Sequence, residues 1–168
     1  MADPSDLVLD RTLLLLRHAK AGPHVSPDHE RPLADRGRRD AAAAGEWIAA
    51  HGIALDLVLC SSSVRTRQTW KYTGLEAGDV WYDRRIYDAD PETLLEVIHE
   101  VPEQLSTVML IGHAPGVPWL ASELVVSGGE DLPDKYTTSG LAVLTHTRHW
   151  SALGAHDATL ADFVTPRG

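Results

Sequence analysis

Three short apolar runs, at 13–16, 55–59 and 108–111, most constrain how this chain can fold. Each has the length of a strand and is apolar at nearly every position, which is typical of a strand buried on both faces of a sheet. Each run also ends at polar residues: Arg17-His18, Cys60 with Ser61–Ser63, and Gly112-His113. Ligands of open α/β sheets bind beyond the carboxyl ends of the strands, so these residues are predicted to share one pocket.

Helical segments alternate with these runs along the chain. Apolar periodicity and capping residues predict helices at 36–50, at 64–75, from Pro91 onward and at 117–126. Strands are predicted at 12–17, 55–60, 80–82, 107–111, 141–144 and 161–164. Strands alternating with helices of this length predict a three-layer α/β/α domain with a largely parallel central sheet.

No repeat, low-complexity tract or linker divides the 168 residues. We interpret 1–168 as a single domain, with a flexible N-terminus expected at 1–10. Cys60 is the only cysteine, which excludes an intramolecular disulfide and a thiolate zinc site. The acidic N-terminal residues do not resemble a signal peptide, and the apolar runs are too short to span a bilayer. We therefore expect a cytoplasmic protein that does not bind membranes.

The formal net charge of −9 argues against a nucleic-acid-binding protein, because phosphate backbones are bound mainly by lysine and arginine. The charge is unevenly distributed, since most lysines and arginines lie in the first half of the chain. The basic residues of the first half include Arg31, Arg36, Arg38, Arg39, Arg65, Arg67 and Lys71. A local positive surface on an acidic protein is suited to an anionic substrate.

The polar residues at the strand ends favour phosphoryl chemistry without a metal. A neutral imidazole is a nucleophile or a base, and guanidinium groups bind phosphate oxygens in a planar, bidentate manner. The remaining histidines show no metal-ligand spacing such as H-E-x-x-H. Cys60 precedes Arg65 by four intervening residues, one fewer than the C-x5-R loop of cysteine phosphatases, so a thiolate nucleophile is not expected.

Three segments together resemble the histidine phosphatase superfamily, also called the phosphoglycerate mutase-like superfamily. They are Arg17-His18-Ala19, the stretch Ser61–Thr69 that reads SSSVRTRQT, and Gly112–Gly116 that reads GHAPG. The superfamily has an Arg-His pair after the first strand, a second arginine in a Ser-x-x-x-Arg-x-x-x-Thr setting, and a second histidine in Gly-His. The resemblance runs from Leu13 to Trp119 and implies a phosphoglycerate mutase-like fold.

Within the superfamily, the short chain is similar to the SixA-like phosphohistidine phosphatases. The segments 17–21 and 28–33, together with Arg36-Gly37, are typical of that branch. Ala19 replaces the usual glycine, a mild change if the backbone there is unstrained. Many members have a glutamate after the third strand as a general acid, and the stretch 84–90 has none. Asp88 is the candidate acid in that stretch.

The resemblance implies a role for each site residue and no cofactor or metal. His18 would be the nucleophile and form a transient phosphohistidine, while Arg17, Arg65 and His113 would hold the phosphoryl oxygens. Arg31, Lys20 and Ser61 are expected to contribute to phosphate or substrate binding. The expected ligands are a phosphorylated protein or a small phosphorylated substrate, and inorganic phosphate or another tetrahedral oxyanion.

The predicted function is hydrolysis of phosphohistidine on a protein partner. A nitrogen leaving group departs more easily than an alkoxide, so the missing acid favours a phosphoramidate substrate. Two alternatives stay open, namely a phosphomonoesterase of a small metabolite and a catalytically silent module that binds a phosphorylated ligand. A P-loop, a dinucleotide-binding G-x-G-x-x-G motif and a G-x-S-x-G nucleophile motif are all absent from the sequence.

Overall fold

The computed structural model describes residues 9–168, so most of the N-terminus predicted to be flexible lies outside the described residues. A seven-stranded sheet forms the centre of this part of the chain. Its strands are β1 (Arg11–Arg17), β2 (Leu55–Ser61), β3 (Ala77–Asp83), β4 (Thr107–Gly112), β5 (Val125–Ser127), β6 (Leu141–His146) and β7 (Ala158–Val164).

The order of the strands across the sheet is β3-β2-β4-β1-β6-β7-β5. Strands β1 to β4 are mutually parallel, and β6 pairs antiparallel with both β1 and β7. Strand β5 pairs parallel with β7, so β6 alone runs against the other six. The predicted α/β fold with a largely parallel sheet is confirmed. It places the ends of β1, β2 and β4 at one edge.

Four helices cover the sheet: α1 (Asp35–Ala50), α2 (Val64–Thr73), α3 (Pro91–His99) and α4 (Gly116–Leu124). The side chain of Ser63 caps α2 by accepting from the Thr66 backbone N–H. Asp90 caps α3 in the same way, with Pro91 in the first turn, as the sequence predicts. Gly74 ends α2 in the left-handed conformation, with φ of 68°.

Strand β1 contributes to two hydrophobic cores because successive side chains point to opposite faces. Leu13 and Leu15 lie in a core that also holds residues of α3 and α4. Leu14 and Leu16 lie in a second core with Ile48 of α1, against which Trp70 of α2 packs. The helices therefore form one layer on each face of the sheet.

The prediction of a helix at 117–126 is wrong at the C-terminal end of the helix. Helix α4 stops at Leu124, and Val125 begins β5, which pairs with β7. Two β-branched valines followed by a serine suit a sheet edge better than a last helical turn. Strands β3 and β7 are also longer than the stretches 80–82 and 161–164 predicted for them. Within residues 9–168, no helix is both long and apolar enough to cross a membrane.

Candidate active site

The loops that follow β1 and β4 meet at the carboxyl edge of the sheet. Parallel pairing places Arg17 opposite Gly112, and the backbone N–H of His18 donates to the Gly112 carbonyl at 3.0 Å. The imidazole rings of His18 and His113 consequently lie with their centroids 5.3 Å apart. The pairing of β1 with β4 thus brings the two histidines of the sequence motifs together.

The hydrogen bonding of His18 leaves one ring nitrogen free. Its Nδ1 lies 2.7 Å from the Ala19 carbonyl, which can only accept, so Nδ1 carries the proton. Burial, together with the charges of Arg65, Arg17 and Arg31, lowers the pKa of His18 to about 4. A neutral ring protonated at Nδ1 has an unprotonated Nε2, whose lone pair can act as a nucleophile.

His113 has a similar environment but a different partner. Its Nε2 lies 2.8 Å from Ser61 Oγ, and no hydrogen-bond partner of its buried Nδ1 is found among the described residues. Burial, followed by the charge of His18, lowers its pKa to about 3, so both rings are neutral at pH 7. Ser61 is fully buried and touches His113, which makes it a support for the imidazole.

Two arginines of the site differ in how their charge is balanced. Arg65 donates from Nη1 to the Asp28 carbonyl at 3.0 Å and from Nη2 to the Asp28 carboxylate at 2.9 Å. Arg17 donates from Nη1 to the Tyr136 carbonyl at 2.9 Å and forms no ion pair within residues 9–168. Burial lowers the pKa of Arg17 from its usual value. The guanidinium of Arg17 is therefore a partly buried cation without a carboxylate, which suits an incoming anion.

Asp28 and Tyr87 belong to the site although the sequence motifs do not single them out as functional residues. The Tyr87 hydroxyl donates to the Asp28 carboxylate at 2.7 Å, and the Tyr87 ring lies edge-on to His113 at 5.4 Å. These contacts and Arg65 hold the pKa of Asp28 below its usual value. Asp28 is thus an ionised anchor that orients Arg65 and is unsuited to donate a proton. The segment 28–33 quoted for the family resemblance contains Asp28, which was the only sequence signal available.

A third loop, residues 136–140, holds the backbone of the Arg17-His18 pair. The N–H of Ser139 lies 3.1 Å from both the Arg17 and the His18 carbonyls, and the Arg17 N–H donates to Gly140. Arg167 in turn donates to the Thr138 carbonyl and to the buried carboxylate of Asp40 in α1. No local sequence pattern indicates these contacts, since they join segments that are distant along the chain; Asp40 and Arg167, for example, are 127 residues apart.

Three other predicted site residues form no hydrogen bond to His18 or His113 among the described residues. Arg31 donates from Nε to the Gly22 carbonyl at 2.8 Å and lies 3.8 Å from Asp28, while its charge reaches His18. Lys20 is exposed, and its side chain has no hydrogen bond or ion pair within residues 9–168. Asp88 is exposed on the turn after β3 and lines a cavity together with His113.

The backbone explains two details of the family motifs. Ala19 is fully buried and does not have a positive φ, so its methyl group replaces the usual glycine without backbone strain. Lys20 contributes through its main chain, because a Cβ at Gly37 of α1 would lie 2.1 Å from the Lys20 carbonyl oxygen. Glycine at position 37 therefore lets α1 pack directly against the loop that carries His18. Within the described part of the chain, no three His, Cys, Asp or Glu side chains are grouped to hold a metal ion.

The sequence model for the "Histidine phosphatase superfamily (branch 1)" matches residues 13–105, which includes Arg17, His18 and Arg65. The chain belongs to the histidine phosphatase superfamily. Its curated relatives include the uncharacterized protein Rv1276c of Mycobacterium tuberculosis, 40% identical over 159 residues that cover 90% of this chain and 100% of the relative. An uncharacterized Mycobacterium leprae protein, ML1117, is 36% identical over 162 residues, with 90% and 100% coverage.

The chain is similar to several solved structures of SixA proteins. A candidate phosphohistidine phosphatase SixA from Nakamurella multipartitia is 38% identical with a TM-score of 0.89, and the alignment covers 96% of this chain and 99% of that one. Another candidate SixA, from Agrobacterium tumefaciens, is 31% identical with a TM-score of 0.76, covering 93% and 98%. The protein histidine phosphatase SixA in complex with tungstate shares the fold at 23% identity and a TM-score of 0.77, covering 92% and 97%. This chain is a SixA-like phosphatase of the superfamily.

Proposed function

We propose that this phosphatase hydrolyses phosphohistidine on a protein partner through a covalent intermediate on His18. The observation that carries the proposal is the hydrogen bond from His18 Nδ1 to the Ala19 carbonyl, which leaves Nε2 as a free nucleophile. Burial keeps the ring neutral, and Arg17 and Arg65 lie close enough to depress its pKa. The Nakamurella and Agrobacterium relatives named as phosphohistidine phosphatases agree with this substrate class.

The proposed reaction has two displacements at phosphorus. In the first, His18 Nε2 forms a bond to phosphorus while the N–P bond of the substrate breaks, and the departing imidazole takes a proton from solvent. In the second, water attacks phosphorus, the bond to His18 Nε2 breaks, and inorganic phosphate leaves. Arg17, Arg65 and His113 donate to the equatorial oxygens, whose charge they stabilise in both steps.

The carboxylates around the site favour a nitrogen leaving group. Asp28 is held ionised by Tyr87 and Arg65, so it does not serve as an acid. Asp88 accepts no hydrogen bond from any described residue and lies in an exposed turn. A leaving group that needs little protonation suits this arrangement better than the alkoxide of a sugar phosphate. The proposal includes a metal-independent reaction in the cytoplasm. A histidine nucleophile with arginines to bind the phosphoryl oxygens supports the first part, and the single cysteine supports the second.

The test compares turnover of a phosphohistidine protein, the small phosphoramidate ion, an aryl phosphate and a panel of sugar phosphates. We expect the first three to be hydrolysed far faster than the sugar phosphates. Asp88→Asn should leave turnover of the small phosphoramidate ion, which has no flanking segment, nearly unchanged, and a chelator should change the rate by less than about threefold. An unmutated enzyme that prefers a sugar phosphate would assign the chain to the metabolite phosphatases. Phosphate binding without any turnover would indicate a silent binding module.

A further inference from the structure

A cavity of about 330 Å³ adjoins the catalytic pocket on the side of His113. His113 lines this cavity, is 6% exposed, and has no hydrogen-bond partner for Nδ1 among the described residues. Trp119 of α4 lines it too and is 60% exposed. The cavity thus places a large exposed aromatic ring beside a histidine of the catalytic pocket, a position suited to binding the part of a substrate next to its phosphoryl group.

A second cavity, of about 390 Å³, continues the first one along the surface. The two share Asp90, and the second is also lined by Glu92 and Leu95 of α3 and by Glu123 of α4. We call the combined feature, from His113 to Glu123, the acidic groove. Its lining residues run from His113 of the catalytic pocket to Glu123 near the end of α4.

The charge of the acidic groove is opposite to that of the catalytic pocket. Four carboxylates line the groove, those of Asp88, Asp90, Glu92 and Glu123, and neither cavity has a lysine or arginine among its described lining residues. Only Asp90 has a hydrogen-bond partner within residues 9–168, the Thr93 backbone N–H. The pocket beside it holds the cations of Arg17, Arg65 and Arg31. A ligand that matches both parts carries a phosphoryl group and, next to it, positive charge.

The walls of the acidic groove are held in place by the packing of α4 against the turn after β3. A Cβ at Gly116 would lie 2.1 Å from the Ala89 carbonyl oxygen, so the start of α4 touches this turn directly. Asp88 in that turn has a φ of 53°, a conformation that glycine and asparagine adopt more easily than aspartate. Its carboxylate forms no hydrogen bond or ion pair with another described residue, and Asp88 lines the cavity.

We propose that the acidic groove binds a basic polypeptide segment that flanks the phosphorylated residue of the substrate protein. Lysine or arginine in that segment pairs with Glu92 and Glu123, and its side chain packs on the exposed ring of Trp119. The groove thereby selects among phosphorylated proteins, whereas the pocket at His18 recognises only the phosphoryl group. The inference rests on the proposed function, since it takes a protein as the substrate.

The experiment uses phosphohistidine peptides that are identical except for flanking residues, which are lysine, glutamine or glutamate. We expect kcat/KM of the natural protein to fall at least about tenfold from the lysine to the glutamine peptide and further for the glutamate peptide, mainly through KM. The difference should shrink at 0.5 M salt because partly exposed charges are screened.

Charge reversal separates recognition from folding. The double variant Glu92→Lys/Glu123→Lys should gain activity on the glutamate peptide relative to the lysine peptide, and a misfolded protein cannot show such a gain. Glu46→Lys, on the exposed face of α1, is the matched control and should keep the original preference. Equal kcat/KM for all three peptides, or an unchanged preference in the double variant, overturns the proposal that the acidic groove binds a basic segment.

The small phosphoramidate ion distinguishes the two proposals because it has no flanking segment. Turnover of this ion without any peptide preference rejects the acidic groove and retains the proposed function. Absence of turnover on the ion and on every peptide rejects both. A preference for lysine peptides that is lost in Trp119→Ala supports binding of the basic segment in the acidic groove.

Discussion

Both ends of strand β1 carry an arginine near a buried histidine, yet the two regions are built for different tasks. At the carboxyl end, Arg17 lacks an ion-pair partner among the described residues, and His18 has an unprotonated Nε2. At the amino end, Arg11 is 2% exposed and lies opposite His146 in the sheet. Arg11 donates to the carbonyls of Arg148 and Glu103 and lies 3.6 Å from the Glu103 carboxylate.

The difference shows that charge balance, more than residue type, distinguishes a reactive site from a structural one. The cation at the amino end is compensated by Glu103, and His146 packs against Trp150 with ring centroids 4.8 Å apart. The cation at the carboxyl end has no carboxylate partner among the described residues, an arrangement suited to an anion from solution. Matched substitutions at the two ends therefore test the comparison directly.

The largest expected effect contrasts the two histidines. His18→Ala should lower kcat on a phosphohistidine substrate by about 10⁴-fold or more, because the nucleophile is lost. Inorganic phosphate or tungstate should still bind, since Arg17 and Arg65 remain. His146→Leu should keep kcat within about threefold. Its ring nitrogens have no partner among the described residues, so the leucine variant should be as stable as the natural protein or more so. Activity of His18→Ala above a few per cent would remove His18 from the role of nucleophile.

The next effect contrasts the two arginines by exchanging each for methionine. Arg17→Met should lower kcat by about 10²-fold or more with little change in stability, as expected for a donor to the transition state. Arg11→Met should leave kcat per folded molecule nearly unchanged but lower the free energy of unfolding by about 2–3 kcal/mol, because two carbonyls and a carboxylate lose their donor. Urea unfolding and steady-state kinetics on both variants measure this. The comparison fails if both variants lose mainly activity or both lose mainly stability.

The smallest effect is a pH dependence to which both regions contribute. Burial lowers the pKa of His18 and of His146 to about 4 and that of His113 to about 3, against an ordinary value of 6.5. Between pH 6.5 and 4 the unfolded chain therefore binds protons that the folded protein does not, so stability falls as the pH is lowered through this window. His146→Leu should reduce that slope and leave the rate profile unchanged.

The rate should follow a different group from the stability. Because His18 is neutral well below pH 6.5, kcat on an aryl phosphate should not fall between pH 7 and about pH 5 through its protonation. If the rate shows a midpoint near pH 6.5 and this midpoint disappears in an active variant of a neighbouring residue, the midpoint belongs to that residue and not to His18. A midpoint there that follows the NMR titration of the His18 ring itself would show that the pocket does not depress its pKa.

The sequence alone was sufficient to predict the residues of the site that follow the ends of strands. Apolar runs mark β1, β2 and β4, and parallel pairing then brings Arg17, His18, Arg65 and His113 to one edge of the sheet. The contacts that orient these groups were not predictable, because Tyr87 and Tyr136 reach the site along loops whose paths depend on tertiary packing. The same reason explains the error at α4, where pairing of Val125 with β7 overrides the helical pattern.

The central position of β1 also governs when a newly made chain can become active. Strand β1 leaves the ribosome before the strands with which it pairs, β4, which begins at Thr107, and β6, which begins at Leu141. The backbone of His18 is held by Gly112 and Ser139, so the His18 imidazole has no fixed position until most of the chain has been synthesised. Pairing strands that are so distant along the chain closes long loops, and the entropic cost of closing them arises before strand pairing stabilises the fold. Slow folding is therefore expected. Until then the leucines of β1 are exposed to chaperones and to other nascent chains.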